Sequence, residues 1–233
     1  MNNQEIFLNL NQEKINVIIA NEENKSPIYV KNFNVENDFD DIKTVINNLS
    51  NILKNLIIEL EKKINHSVNE INLMIDNPDT LSINISVKKN YDNKKIFKNQ
   101  IEYLIQDLKQ QVLRNNPDIK IAHIIVKNCF VDNEEFNTLP IGVICKDLII
   151  QVQFICFSKN FIHSLQNLFE THQIKFKKII CTNYAKSLLD TDLDNLSEAG
   201  LKVINGFNMN EVQISPKKLT KVGFFERLFH IFS

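Results

Sequence analysis

The chain has 233 residues, 43% hydrophobic and 24% charged, with 27 basic side chains against 28 acidic. That balance fits a folded protein with one sizeable core, or a core plus a small subdomain, and excludes a disordered chain. A formal net charge of −1 removes nucleic-acid binding by bulk charge, and no run approaches the ~18 apolar residues of a spanning helix.

The N-terminal "MNNQEIFLNL" has neither the charged nor the apolar region of an export signal, so the chain is expected in the cytosol or on a membrane surface. Ile6 to Leu10 and Lys14 to Ala20 read as short strands around the polar turn "NQE", and "IYVKNF" follows as a third, giving an opening β-meander. The acidic "ENDFDD" precedes a long helix with Ile42, Val45, Ile46, Leu49, Ile52, Leu53, Leu56, Leu60 and Ile64 on one face. Acids there favour the positive end of the helix dipole, so they mark a helix start and not a metal site. "EINLMI" reads as a strand ended by the turn "NPD", and "LSINISVK" as an alternating strand. A helix carrying Phe97, Ile101, Leu104, Ile105, Leu108 and Val112 runs to "NNPD". The strand "KIAHIIVKNCFV", the loop "DNEEFNTLPIG" and the strand "KDLIIQVQFICFS" come next. A helix with Phe161, Ile162, Leu165, Leu168 and Phe169 leads to the strand "FKKIICT", and Asn183 to Leu189 reads as helical. After Gly200, "LKVIN" and "NEVQI" are expected to form a hairpin, and Pro216 opens a basic linker. Alternating strands and helices give an α/β (α+β) class with at least one mixed sheet.

Catalytic chemistry is sparse. Cys129, Cys145, Cys156 and Cys181 lack CxxC spacing, and three lie in apolar runs, as buried thiols do. His123 sits in an apolar strand and reads as a packed core histidine; the carboxylates of "DNEE" read as a solvated loop. The chain contains four glycines, the first at Gly142, so no phosphate-cradling loop of the usual kind can form near the N-terminus. No catalytic residues, metal site or cofactor are expected.

Two stretches carry a resemblance. The segment "LPIGVICKDLIIQVQFICFSKNFIHSLQNLFETHQIKFKKIICTNYAKSLL" places Pro140, Gly142, Leu148, Val152 and Ala185 in a pattern of the bacterial cell-division protein FtsA. There the family closes an inserted subdomain (1C, SHS2-like) and returns to its actin-like core. The second stretch is the tail "KKLTKVGFFERLFHIFS", which is similar to the membrane-binding amphipathic helix of that family. The resemblance implies a partial actin-like, ribonuclease H-like lobe. Residues 1–78 would be the first part of subdomain 1A, 79–158 the inserted subdomain, and 159–214 the return. A basic linker, 215–222, and a terminal amphipathic helix, 223–233, would complete the chain. Most of the second actin-like lobe would be lacking, and with it the face the family uses for the tubulin-like polymer protein FtsZ.

Departures from the family are equally pointed. In "LNLNQEKI", Asn9 stands where the first phosphate hairpin has Asp, Asn11 where it has Gly, and Gln12 where it has Thr. In "GLKVINGFNMNEVQI", Asn205 stands at the Asp expected of the second hairpin. These losses imply an adaptor without ATPase activity.

On a helical wheel Phe224, Phe225, Leu228, Phe229, Ile231 and Phe232 share one face; Glu226, Arg227, His230 and Ser233 take the other, behind Lys217, Lys218 and Lys221. An apolar face with a basic flank is what an in-plane interfacial helix requires, although a helix docked on its own core or across a dimer has the same spacing. The expected partners are thus an anionic membrane surface, other division proteins and a second copy, with no nucleic acid. The expected location is the cytoplasmic face of the inner membrane at the division site. A scaffold of pilus or secretion type (PilM-like) and a nucleotide-binding actin-like ATPase are the alternatives.

Overall fold

A computed structural model describes residues 4–21, 27–77, 80–190 and 195–212, which form two sheets with helices against both. The first begins as the expected meander: β1 (Gln4–Leu10), β2 (Lys14–Asn21) and β3 (Pro27–Asn34), paired antiparallel in succession. Helix α1 (Ile42–Ile64) starts where Asp41 accepts hydrogen bonds from the Lys43 N–H (3.1 Å) and the Thr44 hydroxyl (2.7 Å), and ends at left-handed Asn65. Its buried stripe, Val45, Leu49, Leu53, Leu56, Leu60 and Ile64, turns the helix onto the sheet. β4 (Glu70–Ile75) then runs parallel to β1, and β9 (Lys175–Cys181) parallel to β4, giving the order β3-β2-β1-β4-β9.

Between β4 and β9 lies the second sheet, built from β5 (Leu81–Lys95), β6 (Ile119–Val131), β7 (Glu134–Phe136) and β8 (Ile144–Ser158) in the antiparallel order β5-β8-β6-β7. Helix α2 (Lys98–Asn115) covers one face with Ile101, Ile105, Leu108 and Val112, so this unit has its own core. β6 and β8 are long because they serve two cores: Leu148, Ile150 and Val152 point into the second, while Ile125, Ile155 and Phe157 belong to the first. Helix α3 (Lys159–Glu170), capped by the Ser158 hydroxyl, returns the chain to the first sheet; α4 (Thr182–Lys186) follows β9.

Two expectations are corrected. The loop "DNEEFNTLPIG" holds the short strand β7, because left-handed Asp132 and Asn133 turn the chain back onto the end of β6. The hairpin after Gly200 is absent: "LKVI" is the last turn of helix α5 (Leu196–Ile204). Asn195 caps that helix by accepting from the Glu198 N–H at 3.2 Å, and Gly200 lies so close to Phe7 that a Cβ there would come within 2.5 Å of the ring. The apparent alternation of "LKVIN" loses to a capped helix docked on β1. "NEVQI" supplies only an isolated bridge, Glu211 to Ile125, within its described part.

Candidate functional site

Parallel strands β1, β4 and β9 end on the same side of the first sheet, which is where open α/β sheets take ligands. Asn9, Asn11 and Gln12 are here, at the end of β1. Asn9 is buried, and both halves of its amide are matched: its Nδ2 donates to Asn16 Oδ1 at 3.0 Å, and its Oδ1 accepts from the Thr182 hydroxyl at 2.7 Å. Asn16 Nδ2 donates onward to Asn32 Oδ1 at 2.8 Å. One side chain each from β3, β2, β1 and the start of α4 thus forms a continuous row. A carboxylate at position 9 would have no hydrogen to give Asn16, so the row requires the amide.

The hairpin itself is closed by side chains. Asn11 Oδ1 accepts from the N–H groups of Glu13 (3.0 Å) and Lys14 (2.8 Å), the amides a phosphate-binding turn would direct at its anion. Asn37 completes the closure: its N–H donates to the Gln12 carbonyl (2.7 Å) and its Nδ2 to the Asn11 carbonyl (2.6 Å). Asp76, at the end of β4, faces Lys186 at 3.7 Å. Among the described residues no three His, Cys, Asp or Glu side chains are grouped to hold a metal.

A second polar cluster joins the two sheets. His123 on β6 is buried; its Nε2 accepts the Cys181 N–H of β9 at 2.9 Å, and its Nδ1 lies 2.9 Å from Glu211 Oε1. An Nε2 that accepts carries no proton, so Nδ1 holds the hydrogen and donates to Glu211. Burial pushes the His123 pKa down against the upward pull of Glu211, in keeping with this neutral tautomer. Burial alone would raise the Glu211 carboxyl, but bonds from His123 and the Tyr184 hydroxyl (2.8 Å), with Lys178 at 3.5 Å, leave it below the usual carboxylate range. The Tyr184 hydroxyl is pushed up, first by burial, and also accepts from Asn208 Nδ2 at 3.1 Å. Through Glu211, the strap formed by residues 208–212 locks β6, β9 and α4 together. The four cysteines are free and buried, with Cys129 and Cys156 pushed up to about 11 by burial.

The other sequence positions distribute as follows. Leu148 and Val152 are core residues of the second sheet, Ala185 is buried on α4, and Pro140 is buried in the loop before β8. Gly142 adopts φ +90°, which lets its N–H reach the Ile96 carbonyl at 2.8 Å. Asn205 caps the end of α5, its N–H donating to the Leu201 carbonyl, and therefore does not stand in a second phosphate hairpin. Lys217, Lys218, Lys221, Phe224, Phe225, Arg227, Leu228, Phe229, Ile231 and Phe232 lie outside the described residues. No helix among the described residues is long and apolar enough to cross a membrane. The joint residues Glu211, Tyr184 and Lys178 gave no sequence signal. The asparagine row did leave one, a single Asn inside each of two otherwise apolar strands.

Several solved structures resemble the chain. One is a PilM–PilN type IV pilus biogenesis complex, with 7% identity over 78% of this chain and 48% of that one, at a TM-score of 0.45. Another is the cytoplasmic domain of EpsL, an inner membrane component of the type II secretion system of Vibrio cholerae, with 12% identity over 78% and 57% and a TM-score of 0.34. A third is a Bacteroides thetaiotaomicron protein with an actin-like ATPase fold and unknown function, with 14% identity over 78% and 53% and a TM-score of 0.35. The chain spans about half the length of each. No protein-family model matches, and no curated protein matches.

Proposed function

We propose that the chain is a membrane-associated adaptor, FtsA-like in kind, that holds partner proteins at the cytoplasmic face of a membrane and does not hydrolyse nucleotide. The observation that carries this reading is the closed end of the first sheet. The amides that would meet a phosphate are engaged by Asn11, and the position of the family's aspartate is an asparagine bound on both sides. The membrane contact rests on the pattern of residues 217–232, whose four phenylalanines share one helical face behind three lysines. Binding by one copy should be reversible, and stronger when copies are linked in an assembly.

The test is co-sedimentation of the full chain with anionic vesicles, together with titration by ATP and magnesium. The expected result is pelleting of the native chain, markedly weaker pelleting of Phe225→Glu/Phe229→Glu at the same lipid concentration with an unchanged melting temperature, and no nucleotide-induced shift in melting. Saturable ATP binding, or equal pelleting of both chains, overturns the reading. Imaging of a fluorescent fusion then assigns the system: a mid-cell band marks division, whereas foci at poles or envelope complexes mark a pilus- or secretion-type scaffold.

A further inference from the structure

The far tip of the second sheet breaks several rules that the rest of the fold obeys. Phe97, Ile141 and Ile144 are 54%, 48% and 66% exposed there. They are held together by backbone bonds: the Ile96 N–H donates to the Val143 carbonyl and the Gly142 N–H to the Ile96 carbonyl, both at 2.8 Å, and Ile144 pairs across the ladder with Lys95. Ile96 is fully buried and anchors the tip to the core, so its neighbours face outward from a rigid base. Phe97 also occupies the N-cap of α2, a position that favours Ser, Thr, Asp or Asn, and provides no side-chain cap.

The charges around the tip are just as one-sided. Residues 88–98, "KKNYDNKKIFK", hold five lysines against one aspartate. Three of them, Lys94, Lys95 and Lys98, crowd the positive end of a helix, where cations are unfavourable. Lys98 reaches Glu102 only at 3.9 Å, and among the described residues neither Lys94 nor Lys95 forms an ion pair. Of the five, Lys88 is paired with Asp147 at 3.0 Å, but the other nearby acids do not reach Lys94 or Lys95: the Asp132 carboxylate accepts from the Lys146 and Asp147 N–H groups, and Glu134 and Glu135 stand on β7 at the opposite edge of the sheet.

From this pairing of convex apolar side chains with a lysine collar, we propose that the tip formed by residues 94–98 and 141–144 is a second lipid-facing surface, selective for anionic bilayers, that sets the orientation of the chain on the membrane. It deepens the adaptor reading and rests on the chain working at a membrane. Charge decides the occupant. The chain's own tail carries Lys217, Lys218, Lys221 and Arg227 against Glu226, so it would be repelled. A second copy related by a two-fold axis would set lysine against lysine. A protein partner would need pockets shaped for three knobs, whereas a bilayer accepts any knob that leaves water.

The test uses the full chain with Ile144→Cys labelled by an environment-sensitive dye, selective because the native thiols are buried. Ser86→Cys, exposed far along β5, is the control. Vesicles are phosphatidylcholine alone or mixed with phosphatidylglycerol. The dye at 144 should brighten several-fold with the mixed vesicles only, while the dye at 86 stays silent. Changing Lys94, Lys95 and Lys98 to Gln should weaken the titration about fivefold per lysine, the factor for ~1 kcal/mol each. The Phe225→Glu/Phe229→Glu chain separates the two readings. If the tail is an anchor, this chain needs more lipid but still brightens at 144; if the tail is not an anchor, it titrates like the native chain and the tip still responds. A silent dye at 144 on a chain that pellets, an equal response to polyglutamate, or no binding to any vesicle overturns the proposal.

Discussion

The end of the first sheet and the tip of the second are both surface features at strand termini, and they are built on opposite plans. At the first, polar side chains turn inward on one another: Asn9, Asn16, Asn32 and Thr182 form one row, and Asn11 and Asn37 close the hairpin. At the second, three large apolar side chains and a group of lysines face water. Local rules are satisfied at the end of the parallel strands and broken at the exposed tip. Residues that break such rules, while the fold around them is well packed, are the ones to connect with function.

The largest expected effect lies at the joint between these regions. Glu211→Ala leaves the Nδ1–H of buried His123 and the Tyr184 hydroxyl without an acceptor, at a cost of about 3 kcal/mol, or roughly 10 °C in melting temperature. Acid should attack the same joint. The folded pKa of His123 is depressed, so between its ordinary value of 6.5 and the folded value the unfolded chain binds the extra proton. Stability is complete above pH 6.5 and falls as the pH drops below it. A second loss begins near pH 4.5, because the Glu211 carboxyl is also depressed. Denaturant melts from pH 8 to 4 check this: His123→Gln should flatten the first part of the fall. An unchanged slope would place the acid sensitivity elsewhere.

How far these regions were legible in the sequence follows from the range of their contacts. Helix α1 was readable because its cap, Asp41, and its apolar stripe are local. Helix α5 departs from the expected hairpin because its docking depends on Gly200 meeting Phe7, a contact between distant parts of the chain. His123 was readable as a core residue, but its partner Glu211 lies 88 positions away. That positions 9 and 11 are asparagines is plain in the sequence; what they bind is not, since Thr182 and Asn37 arrive only through the fold. At the tip the sequence placed Phe97 on a helix face, and only the structure shows it uncapped and exposed at the helix start.

A smaller effect tests the closed end directly. Asn9→Asp puts a carboxylate into a buried site, where Asn16 Oδ1 loses its donor and faces a negative charge. The expected cost is about 2 kcal/mol, with no gain in ATP binding by calorimetry. Recovery of ATP binding in this variant would mean that the site is a nucleotide pocket lacking one residue, and the contrast between the two regions would collapse.

The smallest effect has the opposite sign and is the sharpest. Phe97→Ser removes an exposed phenyl ring and supplies the missing cap, because a serine hydroxyl at an extended N-cap can accept from the N–H of Asn99 or Gln100. The helix should gain up to about 1 kcal/mol, seen as a small rise in melting temperature. Vesicle affinity should fall in the same protein. A substitution that stabilises the fold and weakens lipid binding would show that phenylalanine holds position 97 for what it meets outside the molecule. If the serine variant melts lower instead, the ring contributes packing that its exposure conceals, and the tip is one more piece of structure.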